Sequence, residues 1–72
     1  MNQGEFKRFL DAMHTIDTWD REVQQCLARC LDPAFTFEYA ARWTINFYED
    51  LKDLSDEERL KIAKEILADR KR

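Results

Sequence analysis

One glycine, one proline, one histidine and two cysteines are all that the 72 residues contain of these types, and each shortage removes a class of protein. With Gly4 the only glycine, there is no glycine-rich loop to cradle a phosphate. So few turn-forming residues argue against an all-β domain, which needs a tight turn between every pair of strands. Cys26 and Cys30 are too few for the disulfide framework of a small secreted protein, and a reducing compartment leaves them as thiols. Even joined by His14 they fall short of the four ligands of a structural zinc site, so no metal and no cofactor is expected. Long apolar runs are missing too. Nothing approaches the roughly 20 residues of a membrane span, and "MNQGEFKRFL" lacks the basic-then-apolar layout of a signal peptide. The expectation is a cytoplasmic protein that makes no contact with a membrane.

What the chain does hold is 44% hydrophobic, 38% charged and 12% aromatic residues, a composition rich in helix formers and far from that of disordered chains. It predicts an all-α fold, a small bundle of three to four antiparallel helices, with residues 1–72 forming a single helical domain. A domain of this length buries only about 60% of the surface its unfolded chain exposes. Stability shared with a partner is therefore expected.

Charge is unevenly placed. Residues 1–58 carry 13 acidic and 6 basic side chains, whereas residues 59–72 carry 2 and 6, so a body of −7 is followed by a tail of +4. An acidic body repels phosphate backbones, which makes direct nucleic-acid binding an unfavoured function.

Periodicity places the helices. "EFKRFLDAMHTI" sets Phe6, Phe9, Leu10, Met13 and Ile16 at spacings of three and four, the pattern of an amphipathic helix. "TWDREVQQCLARCL" continues the seam through Trp19, Val23, Cys26, Leu27 and Cys30. Between them "TIDT" offers Thr15, Asp17 and Thr18 as caps, predicting a break, with one continuous helix as the alternative. In "LDPAF", Asp32 can accept from free amides and Pro33 suits a first helical position, so a third helix is predicted from there to about Leu51. "LSDEERLKIAKEIL" opens with Ser55 and Glu58 at capping-box spacing, and acids at its start and the bases of "DRKR" at its end match the helix dipole.

The stretch "FTFEYAARWTINFY" carries six of the nine aromatic residues. Its first residues alternate as in a strand, but no second strand exists to pair with them. On a helix, Phe37, Ala40, Ala41, Thr44, Phe47, Tyr48 and Leu51 share one broad face, the predicted core. Phe35, Tyr39 and Trp43 form a second stripe, which needs covering by another helix of the chain, by a second copy or by a different partner.

No residue pattern reaches a catalytic signature. Cys26 and Cys30 at i, i+4 are best placed as buried thiols, and His14 has no nucleophile or carboxylate assigned to it by spacing. An enzyme is disfavoured. The dense acids of "EDLKDLSDEE" serve as a solvated face and a helix start, with imitation of a nucleic-acid backbone as the sharper alternative. The candidate partner-binding residues are Phe35, Tyr39 and Trp43, rimmed by Glu49, Asp50 and Asp53.

"HTIDTWDREV" resembles the "TIDT" segment of the small enterobacterial hemolysin-expression-modulating proteins, and "YAAR", 25 residues after His14, falls near that family's Ala-Ala segment. Arg42 and Trp43 then depart from it. The resemblance implies a short, mostly helical chain that modulates gene expression by binding a nucleoid-associated protein. The residues themselves imply a small regulator or inhibitor that binds another protein through a helical interface and self-associates as a dimer, or a structural subunit of an assembly.

Overall fold

The computed structural model describes residues 1–70, and in it four helices follow one another with no strand among the described residues: α1 (Gln3–Ile16), α2 (Arg21–Cys30), α3 (Phe37–Leu51) and α4 (Asp56–Arg70). Lys71 and Arg72, half of the basic end "DRKR", lie outside the described residues.

Each helix starts on a polar side chain that accepts from an otherwise unpaired amide. Asn2 Oδ1 takes the amide of Glu5 at 2.8 Å, Asp20 Oδ1 that of Glu22 at 2.8 Å, Thr36 Oγ1 that of Tyr39 at 3.1 Å and Ser55 Oγ that of Glu58 at 3.3 Å. Such caps contribute about 1 kcal/mol apiece. The predicted break in "TIDT" is present, because the Thr18 amide and hydroxyl both donate back to the Thr15 carbonyl, at 2.9 and 2.6 Å, and turn the chain out of α1. The cap of α2 is nevertheless Asp20, beyond that segment.

The start of α3 needs correction. Asp32 and Pro33 do not open it. Asp32 Oδ1 accepts from Ala34 N at 2.8 Å and its carbonyl from Phe35 N at 2.9 Å, closing a local turn. Thr36, in extended backbone (φ −67°, ψ 159°), then caps the helix.

Packing pairs α1 with α3 and α2 with α4, and α3 meets α4 to join the pairs. The core draws on every helix through Ala12, Ile16, Val23, Leu27, Phe47, Leu51 and Ala63. Cys26 and Cys30 are buried within it, and Ala12, Ala41 and Ala63 have almost no exposed surface, which lets the helices approach closely. The buried Thr44 hydroxyl donates to the Ala40 carbonyl at 2.9 Å, so it brings no unpaired polar group into the core. The Cα framework measures 33 × 26 × 16 Å. With Cα atoms about 2.3 Å from each helix axis and axes roughly 8–10 Å apart, that thickness holds two layers of helices, which leaves helices with an outward side.

The aromatic segment divides differently from its periodicity. Ala41, Thr44, Phe47 and Leu51 are buried as predicted and Ile45 joins them, but Phe37, assigned to the core, is 62% exposed. It stands one turn before Ala41, at the first position of α3, and meets Phe9 edge-on at 5.6 Å with its other side open.

Candidate interaction surface

The first helix carries two apolar stripes. Ala12 and Ile16 are buried and Phe9 half-buried where α1 meets α3, because these side chains follow one another at three- and four-residue steps down one side. Phe6, Leu10 and Met13, again at i, i+4 and i+7, lie about a quarter-turn round the helix from that contact. No helix covers them: they are 44%, 40% and 36% exposed.

Phe37 extends this uncovered strip onto α3. Its ring, the side chains of Phe6 and Leu10, and Met1 wall an open depression of about 430 Å³. A second, of about 150 Å³, continues from Phe37 past Met13 and Leu31, and a third, of about 180 Å³, runs from Met13 and Leu31 to Leu27 and Ala28, with Asp17 at its edge. Shared walls make one apolar groove along the length of α1. Contiguous exposed apolar surface makes this strip the candidate contact surface.

The residues singled out by periodicity are placed less openly. Trp43 is half-buried against the core and shares a depression with Ile66 of α4. Phe35 is half-buried, with the Arg70 guanidinium 5.3 Å from its ring, and Tyr39 meets it edge-on at 4.6 Å while remaining 52% exposed. The second covering surface of that stripe is therefore α4 of the same chain for Trp43 and Phe35, leaving Tyr39 in solvent. Glu49 and Asp50 are exposed at the far end of α3 and Asp53 in the turn after it, and Glu49 accepts from Arg8 of α1. They do not join the α1 strip.

Ion pairs lie on the opposite edge of the α1–α3 contact. Arg42 bridges Glu5 at 3.4 Å and Glu38 at 3.1 Å, and the Met1 α-ammonium reaches Glu38 at 3.0 Å. That hydrogen bond and charge from Met1, with the charge of Arg42, hold the Glu38 carboxyl below the usual carboxylate range.

Sequence reasoning missed Arg59. Its side chain is buried, donating to the carbonyls of Leu51 (3.1 Å), Lys52 (3.4 Å) and Leu54 (2.9 Å) and to Asp56 Oδ1 (3.0 Å). The guanidinium also lies 4.2 Å over the Trp19 ring, which stacks on Tyr48 at 5.9 Å and 17°. One signal pointed to it: a cation in the first turn of a helix opposes that helix's dipole, so it must serve something else. Here it satisfies the open carbonyl end of α3.

His14 is exposed in the last turn of α1. Among the described residues no three His, Cys, Asp or Glu side chains gather as a metal site, and no helix is long and apolar enough to cross a membrane. No family model, no curated protein and no solved structure matches the chain. The resemblance at "TIDT" is not extended by them.

Proposed function

We propose that this is a small protein-binding regulator or inhibitor, not an enzyme, which engages its partner through the uncovered face of α1. The observation that carries this is the row Phe6, Leu10, Met13 and Phe37, exposed side by side while the opposite stripe of the same helix is packed on α3. Rigid aromatic and long aliphatic side chains on a regular helix supply contact area at low ordering cost, as helix-in-groove recognition requires.

Compared with Phe35, Tyr39 and Trp43, this row is favoured because two of those three already rest on α4 or its end. Tyr39 retains exposure and belongs at the margin of the contact, on the first turn of α3 with Phe37. The acids Glu49, Asp50 and Asp53 supply a charged surface away from it, suited to steering a basic partner.

The test is affinity capture on the full chain beside Leu10→Glu, with quantitative mass spectrometry. Proteins retained by the wild type and lost by the variant are expected. Identical profiles would count against the α1 face.

A further inference from the structure

The α1 groove is not the same at its two ends, and the difference is self-complementary. At the amino-terminal end two exposed rings, Phe6 and Phe37, form walls of the wider depression, with Lys7 beside them. At the carboxy-terminal end it presents a recess walled by Met13, Leu27, Ala28 and Leu31, with the carboxylate of Asp17 at the rim. Leu10 lies between. A surface with exposed rings and a cation at one end, a narrower recess and an anion at the other, matches a copy of itself turned end for end.

We infer that the occupant of this face is a second copy of the chain, packed α1 against α1 about an antiparallel two-fold axis. In that arrangement Leu10 of each chain lies against Met13 of the other, Phe6 enters the other copy's recess, and Lys7 comes beside the other copy's Asp17. A parallel pairing instead sets Lys7 against Lys7 and Asp17 against Asp17. Spacing agrees, since Phe6, Leu10 and Met13 recur at the alternating four and three steps of a two-stranded seam. Antiparallel packing also opposes the two helix dipoles favourably.

Area suits a weak dimer. Met1, Phe6, Leu10, Met13 and Phe37, at 36–62% exposure, present about 450 Å² of surface per chain, within the roughly 300–600 Å² of a monomer's largest patch. Two-fold symmetry doubles this to about 900 Å², above most chance contacts and below the roughly 1,200 Å² at which standard interfaces begin, the size of a concentration-dependent association.

This inference rests on the reading of α1 as a protein-binding face, and the experiment separates the two. Sedimentation velocity over a concentration series should show the wild type passing from monomer to dimer, and Leu10→Glu remaining monomeric with an unchanged helical circular dichroism spectrum. Lys7→Glu and Asp17→Lys should each weaken the dimer about tenfold or more, and the two together should restore most of it, because only an antiparallel axis brings those positions together. These surface changes keep the proposal testable should Leu10→Glu not fold. A wild type that stays monomeric at millimolar concentration overturns the second copy as occupant. If a foreign protein is then captured in a Leu10-dependent way, the face itself stands. A dimer untouched by Leu10→Glu overturns this arrangement, and capture equally untouched removes the face as a binding site. Failure of the paired charge changes to restore association overturns the antiparallel axis.

Discussion

Of the three aromatic clusters among the described residues, two lie in contrasting surroundings. Around Trp19 and Tyr48, rings stack between a buried guanidinium and the core, and every nitrogen of Arg59 reaches an oxygen. Around Phe6, Phe9 and Phe37, rings meet edge-on or tilted and the outer side faces solvent. Both are built from large rings; the supply of covering helices differs. Four helices in a slab 16 Å thick can close the α2–α3–α4 side and leave one side of α1 open. Closure builds stability, and the open side is where binding can occur.

The comparison breaks first at the core. Phe47→Ala should destabilise by about 3 to 5 kcal/mol, since the ring is 1% exposed and its removal leaves a cavity. Against a total of about 5 to 15 kcal/mol for a folded domain, loss of the cooperative thermal transition in circular dichroism is the expected extreme. Replacing Arg59 by Met should come next, at about 3 kcal/mol, because the carbonyls closing α3 lose their donors in a partly buried corner. The thermal midpoint should fall by at least about 12 °C. A shift of only a degree or two would mean that water serves these carbonyls as well as Arg59 does.

Thr36→Ala sharpens the boundary of α3. Loss of the cap to Tyr39 N should cost about 1 kcal/mol in urea unfolding, and Asp32→Ala should cost less, since Asp32 closes a turn outside the helix. The reverse order would restore Asp32 as the functional start.

Much of this architecture was legible in the chain. Apolar steps of three and four, the Ser55–Glu58 pair and the crowding of Thr and Asp in "TIDT" express local rules, and local rules govern helix number and breaks. What escaped depends on neighbours. Phe37 is one turn from Ala41 and shares its face, yet at the first position of the helix it stays exposed while Ala41 is buried. Phe6, Phe9, Leu10, Met13 and Ile16 look like one seam, but it is wider than a single neighbouring helix can cover, so it splits into a packed stripe and an open one. Trp43 counts as a second stripe on α3 until α4 is seen to lie beside it.

The smallest effect concerns charge at the α1–α3 edge. Because Glu38 has a lowered folded pKa, its ionised form adds stability above the ordinary carboxylate range, and that contribution disappears as the pH falls through the folded value. Wild type should therefore exceed Glu38→Gln in urea midpoint near neutrality, the two curves converging in acid. A gap that persists at acid pH would place the role of Glu38 in packing.

Intermolecular contact at α1 is the central claim, and isotope-filtered nuclear Overhauser spectroscopy on a mixture of labelled and unlabelled chains tests it directly. The Phe6 ring of one chain is expected to show contacts to the Leu27, Ala28 or Leu31 methyl groups of the other. Intermolecular contacts made instead by Tyr39 and Trp43, or none at a concentration where sedimentation shows a dimer, would contradict it.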